Sequence, residues 1–448
     1  MNLATIAWKS VKQRSLASAL TSLSVALGVM LMVTVLVIFS VLDSTFSTRS
    51  IGYDLIMGPK GSPLQLVLST VYHVNPPIEN LPYRFFKEIQ KDPRVEAAIP
   101  IAIGDTTEQG GFPIVGTIPQ YFVIDYAPNR EFKVEQDGDI LRKPFDAVIG
   151  SRVATVNGWK KGSTFKLVHG GNEGHVHDEL FTVVGILAPT GTPNDKSVFV
   201  HLDGFYQIQG HDKPFDEAIR RERDFFGEPP LSEEELATQV AKLKKKYSHA
   251  GHTHAPGFIE EVPELQKDVT SILLLMKSPS AAILFAGEWK KSFRPAMAIN
   301  PIFPMQQLMV DVLGGVRIML IFLTSLIVLV SGIGIFVSIY NSMSARKREI
   351  GILRALGARR QTVFSIVLAE SILLCGGGGL IGLLLGHGLV FLTAPLVEAR
   401  SGIIMNPWAF EPTEVALLPG LLILATLAGF LPGLLAYRTD VADALQNS

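Results

Sequence analysis

Residues 15–42 read SLASALTSLSVALGVMLMVTVLVIFSVL, and no charged side chain interrupts them. The hydrocarbon core of a bilayer is about 30 Å thick and takes roughly 20 apolar helical residues to cross. This stretch therefore predicts a transmembrane helix. It is too long for an ordinary signal core and no small-residue cleavage pattern directly follows it, so it reads as a retained anchor. Outward from it, residues 318–345 form a second stretch without charge. Residues 362–397 form a third, interrupted only by Glu370, and residues 415–437 a fourth. The fold class expected is membrane α-helical, with four transmembrane helices (one plus three) and a large mixed α/β extracytoplasmic domain, residues 43–317, between the first and second.

Composition agrees. The mean hydropathy of the 448 residues is +0.31, and 18% are charged, where a soluble globular chain carries about a quarter. A net charge of −1 provides no global basic field, so nucleic acid is not an expected partner and the lipid bilayer is. The single cysteine, Cys375, excludes an internal disulfide. Neither Gly-x-Ser-x-Gly nor His-Glu-x-x-His occurs, so no hydrolase site is legible.

Lysine and arginine in short flanks orient such a chain. Lys9, Lys12 and Arg14 precede the first stretch. Arg346, Lys347, Arg348, Arg354, Arg359 and Arg360 lie between the second and third, and Arg438 follows the fourth. The segment 398–414 holds only Arg400. Residues 1–14, the loop 346–361 and the tail 438–448 are thus expected in the cytoplasm, with 43–317 and 398–414 outside.

The outer segment has mixed texture. A short helix is predicted from Pro82, with Phe85, Phe86 and Ile89 on one side, ending before Pro93. Residues 112–116, 147–149, 181–187 and 197–200 fit strands, and 271–276 is apolar but far too short to cross a membrane. Residues 211–263 are highly charged and read as an insertion. Within it, Ser232 and Glu235 predict a capping box ahead of a helix through Leu236, Val240 and Leu243.

The loop from 345 to 360 reads ARKREIGILRALGARR. Ile350, Leu353 and Leu356 fall at helical spacing on an apolar side, and Gly357 is placed to stop the helix. A short amphipathic helix between two spans can press into a groove on a cytoplasmic partner. The alternative is a loop that is merely topogenic, holding basic charge at the lipid surface.

This loop resembles the signature of FtsX-like permeases, which include macrolide-exporter and lipoprotein-release ABC transporters. The resemblance lies in Arg348-Glu349-Ile350-Gly351-Ile352 and Ala355-Leu356-Gly357-Ala358, directly after the second span. The amino end, residues 7–12 and 26–29, is similar to the family's first span. Residues 437–445 are similar to its usual ending, and 181–187 to a strand motif of its outer domain. The resemblance implies the permease subunit of an ABC transporter, for export, extraction or release of a substrate, in the bacterial cytoplasmic (inner) membrane. The ATPase-coupling residues it implies are Arg348, Glu349, Ile350, Gly351, Leu353, Arg354, Leu356 and Gly357. No Gly-x-x-x-x-Gly-Lys-Ser/Thr occurs, so this chain is not expected to bind a cofactor itself. ATP is expected on a separate cytoplasmic ABC ATPase subunit. The short amino end argues against the fused arrangement. Two ATPases need two docking helices, so a second permease protomer, identical or related, is expected, together with a periplasmic adaptor or binding protein.

Three other features carry chemistry. His169, His175 and His177 form one cluster and His249, His252 and His254 a second. Imidazoles at such spacing can ligate zinc or copper, or belong to polar solvated loops. They motivate the alternative of a zinc- or copper-linked transporter permease. Gly378, Gly382 and Gly386 recur every four residues, a spacing that lets helices approach closely in lipid, against the first span or a second protomer. Glu370 reads as a headgroup-level charge rather than an ion site. A membrane receptor without catalytic activity is a further alternative, but no cytoplasmic signalling domain is legible.

Overall fold

The computed structural model describes residues 3–45, 51–74, 76–135, 137–169, 176–208, 210–247, 262–345, 347–401, 410 and 412–438. The chain forms two compact units. One comprises Met1–Asp43 with Val310–Ser448 and the other Ser44–Met309.

The first unit is helical. An amino-terminal helix, Leu3–Gln13, precedes the first long helix, Ser15–Thr45. The second long helix runs Gly314–Ala345, the loop helix Lys347–Ala355, the third long helix Arg360–Ser401 and the fourth Leu417–Arg438. Among the described residues three helices are long and apolar enough to cross a membrane, within Ser15–Leu42, Ile302–Asn341 and Arg360–Val397. The fourth helix is apolar over the shorter stretch Pro419–Leu435. Valines at helical spacing, Val25, Val29, Val33 and Val37, turn one face of the first helix into a core shared with Ile335, Ile339, Val367 and Cys375. The hydroxyl of the buried Ser331 meets that of Ser24 at 3.0 Å, a polar contact between the first and second long helices.

The second unit is built on one large mixed sheet. Its strands are β1 (Leu55–Pro59), β3 (Val95–Thr107), β4 (Pro113–Thr117), β5 (Asp146–Ile149), β6 (Thr164–Phe165), β7 (Leu167–His169), β8 (Phe181–Ile186), β9 (Val198–His201), β11 (Ser271–Met276) and β12 (Ala296–Ile299). Two short strands, β2 (Leu81–Pro82) and β10 (Asp268–Val269), pair apart from it. The order across the sheet is β12-β1-β11-β3-β4-β9-β5-β8-β6, with β7 also on β3. β4 runs parallel to β9 and β5 parallel to β8, while the other pairs are antiparallel.

Both faces of the sheet are covered. Side chains alternate along a strand, and in β1 Leu55 and Met57 join one apolar cluster while Ile56 joins another. The first cluster holds Phe85 and Phe86 of helix Tyr83–Gln90, with Phe285 and Trp289 of helix Pro279–Lys291. The second holds Leu66 and Val67 of helix Pro63–Thr70. A strand covered on both faces reads as an unbroken apolar run. That is why SILLLM at 271–276 is apolar throughout.

The charged segment 211–263 divides in two. Helix Phe215–Phe226 is tied into the domain, with Ala218, Ile219 and Phe225 buried, the Phe225 ring 4.8 Å from that of Phe85, and Arg221 paired to Asp268 at 2.9 Å. The second helix, Glu233–Tyr247, starts at a reciprocal cap. The Glu235 carboxylate accepts the Ser232 N–H at 2.9 Å, and the Ser232 hydroxyl accepts the Glu235 N–H at 3.3 Å.

Residues 44–309 expressed alone are expected to be soluble and to unfold in one cooperative transition. Phe85, wholly buried beside Phe225 and Trp289, anchors that core. Phe85→Ala should cost about 3–5 kcal/mol in chemical denaturation, and the fully exposed Phe293→Ala less than about 0.5 kcal/mol. An aggregated product without a cooperative transition contradicts the expectation.

Candidate functional site

The loop helix Lys347–Ala355 lies between two long helices and is stopped at Gly357, whose φ of +97° is left-handed backbone that favours glycine. Gly351 and Ile350 are buried, and Ile350 packs with Val363, Val367, Ile335 and Ile339. Ile350, expected on the apolar side of the helix, fastens it to its own bundle. Leu356 is 80% exposed and Ile352 45% exposed. These two, a helical turn apart, form the described apolar outer face. Arg354 is half-buried. The side chains of Arg348, Glu349 and Leu353 lie outside the described residues.

The three glycines face the first long helix. A Cβ at Gly378 would stand 2.6 Å from the carbonyl oxygen of Ser22, one at Gly382 2.5 Å from that of Ala26, and one at Gly386 2.8 Å from Cβ of Val33. No real side chain fits there. Small residues let the backbones close to this distance, and dispersion at short range replaces the hydrophobic drive that lipid removes. Glu370 is 5% exposed and accepts the Ser10 hydroxyl at 2.8 Å. The carboxylate expected among headgroups thus holds the amino-terminal helix to the third long helix. Near the other end of that helix His387 pairs with Glu414 at 2.9 Å, both buried.

The outer unit holds a second constellation. β7 pairs with β3 so that His169 stands in register opposite Asp105. The bridge between Val168 and Val176 returns the chain, and the His177 N–H donates to the Leu167 carbonyl at 3.0 Å. His177 and Asp105 are 2% and 3% exposed. Nε2 of His177 lies 3.9 Å, and that of His211 3.0 Å, from Oδ2 of Asp105. Asp105 and His211 line an open cleft of about 330 Å³ that Asp268 and Glu217 also border. Burial holds the Asp268 carboxyl above the ordinary carboxylate range, against the pull of Arg221 and Lys213. Of the six histidines singled out in the sequence, His177 is in this cluster and His169 beside it by register. His175, His249, His252 and His254 lie outside the described residues. Asp105 and His211 were not legible as ligands, because no local spacing marks them.

An apolar helical unit interrupted after its first long helix by a large α/β domain, with a short helix between its second and third, is the arrangement of a membrane permease. The family model for the FtsX-like permease C-terminal matches residues 321–441, and that for the MacB-like periplasmic core domain residues 18–226. The chain belongs to the FtsX-like, MacB-type ABC transporter permease family, with a periplasmic domain. The macrolide export ATP-binding/permease protein MacB of Syntrophobacter fumaroxidans is 24% identical over 394 residues, covering 80% of this chain and 51% of that protein. MacB of Rhodopirellula baltica is 30% identical over 152 residues, 34% of this chain and 21% of that one. An uncharacterised ABC transporter permease of Methanocaldococcus jannaschii is 31% identical over 129 residues, 29% and 31% of the two chains. The chain thus spans from a fifth to about half the length of these relatives. The crystal structure of the periplasmic region of MacB from Actinobacillus actinomycetemcomitans matches at 11% identity and a TM-score of 0.31, covering 58% of this chain and 94% of that one.

The glycine face makes a specific prediction. Gly382→Val should lower the thermal stability of the detergent-solubilised protein by about 1–3 kcal/mol through overpacking. Gly388→Val, in the same helix with no atom within 4 Å of the added Cβ, should be close to neutral. Equal melting temperatures for the two variants would contradict the close approach.

Proposed function

We propose that this chain is the permease subunit of an ABC transporter of the bacterial inner membrane, passing ATP-driven motion from a cytoplasmic ATPase on a separate polypeptide to its periplasmic domain. The protein crosses the membrane four times, with both termini and the loop 346–361 in the cytoplasm. A fourth crossing is supported by length, since 22 helical residues in Leu417–Arg438 extend about 33 Å. It works as a dimer, one loop helix for each of two ATPases, and serves export, extraction or release of a substrate, with a periplasmic adaptor or binding protein as a further partner.

The observation that carries this reading is the loop helix itself. One side is sunk into the bundle through Ile350 while Ile352 and Leu356 are displayed outward. A purely topogenic loop needs its arginines and has no use for an outward apolar pair. A docking helix needs both a fixed inner side, so that force reaches the spans, and an apolar outer side for the partner. Chain continuity does the rest. The first and second long helices enter and leave the periplasmic domain, so displacement of the loop helix and third long helix reaches it through them.

Full burial of a leucine or isoleucine side chain contributes roughly 1.5–3 kcal/mol, and each 1.4 kcal/mol is a factor of ten. Ile352→Asp with Leu356→Asp should therefore weaken co-purification with the ATPase by at least about tenfold, with membrane insertion and melting temperature unchanged. Ile350→Asp should instead destabilise the permease itself. Undiminished ATPase binding by the double variant, with topology inverted by removing the loop arginines, would leave the loop topogenic only.

A further inference from the structure

We propose that Asp105, His177 and His211 form a binding site in the periplasmic domain for a divalent transition-metal ion of the zinc class. The inference rests on their geometry and is independent of the transport reading. The three come from separate segments: β3, the return of the chain after β7, and the turn that follows helix Leu202–Gln207. One ligand atom from each lies within 4.8 Å of the other two. Bonds of about 2.0–2.2 Å set the ligand atoms of a tetrahedral zinc about 3.3–3.6 Å apart. The separations of 3.0 Å and 3.9 Å from Oδ2 of Asp105 bracket that spacing.

The tautomer of His211 sharpens the argument. Its Nδ1 lies 2.8 Å from the Phe205 carbonyl, which can only accept, so Nδ1 carries a proton. In neutral His211 the bare lone pair of Nε2 then faces the Asp105 carboxylate at 3.0 Å. Two arrangements remove that repulsion: a second proton on His211, or a cation held between the groups. His177 turns a second imidazole on the same oxygen at 3.9 Å, with the two rings 5.1 Å apart and nearly perpendicular. One divalent ion held between the three groups would serve both imidazoles and the carboxylate at once. The Phe205 carbonyl is then the outer partner that orients a metal-bound histidine and raises its basicity.

The donor set selects the ion. Two imidazoles and a carboxylate, with no thiolate or thioether, suit zinc and its divalent neighbours and disfavour copper(I). The affinity order of such sites favours zinc over manganese and iron(II). Three protein ligands leave a fourth position open, the mark of a site that exchanges its ion or its fourth ligand. The open cleft that Asp105 and His211 line gives a hydrated cation a way in. A bound ion would tie the turn that leads into helix Phe215–Phe226 to β3.

The test uses the full chain in detergent, stripped with chelator and titrated with Zn²⁺ against a chromophoric competitor. The proposal expects a site that persists when His249, His252 and His254 are all replaced by Ala. It expects the zinc affinity to fall more than about tenfold in His211→Gln and in Asp105→Asn, each checked for an unchanged melting curve without metal. His177→Cys reads ligation as a gained signal, since its Co²⁺ complex should acquire a sulfur-to-cobalt charge-transfer absorption that the wild type, despite Cys375, does not show. Unchanged zinc affinity in both His211→Gln and Asp105→Asn, with no such absorption in His177→Cys, overturns the proposal and leaves the trio a buried proton-bridged cluster.

Discussion

The approach of the first and third long helices at Gly378, Gly382 and Gly386 is the constraint on which the helical unit depends. A lipid-facing helix gains nothing by hiding leucine from hydrocarbon, so its partners are chosen by fit and by polar pairing. Here the third helix presents bare backbone to the carbonyls of Ser22 and Ala26, and the valines of the first helix fill the gaps between. Ser24 with Ser331 ties the first long helix to the second, and Ser10 with Glu370 ties the amino-terminal helix to the third. The first helix is thereby seated against the same helix that follows the loop helix in sequence.

In the periplasmic unit the organising requirement is coverage of both sheet faces. Helices Tyr83–Gln90 and Pro279–Lys291 close one side and Pro63–Thr70 the other. Helix Phe215–Phe226 joins the first group through Phe225 and the Arg221–Asp268 pair. The polar cleft opens where this cover gives way, beside Asp105, His211 and Asp268. Charged groups gather there because apolar side chains have no partner to meet.

Much of this was legible in the sequence, and the boundary between what was and what was not is physical. The long apolar helices announce themselves, since their composition answers to the bilayer alone. The Ser232–Glu235 cap is a local bargain within one turn and could be read from spacing. The apolar face of the Pro82-led helix was visible in Phe85, Phe86 and Ile89, all buried. Strand order was not legible, because it is decided by partners far apart in the chain. For the same reason the side chains gathered around His177 were missed. Asp105 is one acidic residue among many until β3 carries it to His177 and His211. Ile350 was legible as part of an apolar side, though periodicity does not report what covers that side.

The position of β1 has a bearing on how the protein is made. It is the first strand of the sheet to be synthesised, yet its neighbours are β11 and β12, the last two. Until residues 271–299 arrive, both its edges carry unpaired backbone groups. Contacts of such long sequence separation form slowly, and open strand edges invite pairing with the wrong chain. The periplasmic domain is therefore poised to misassemble during biogenesis, and a nascent chain stalled before residue 271 leaves β1 without either of its neighbours.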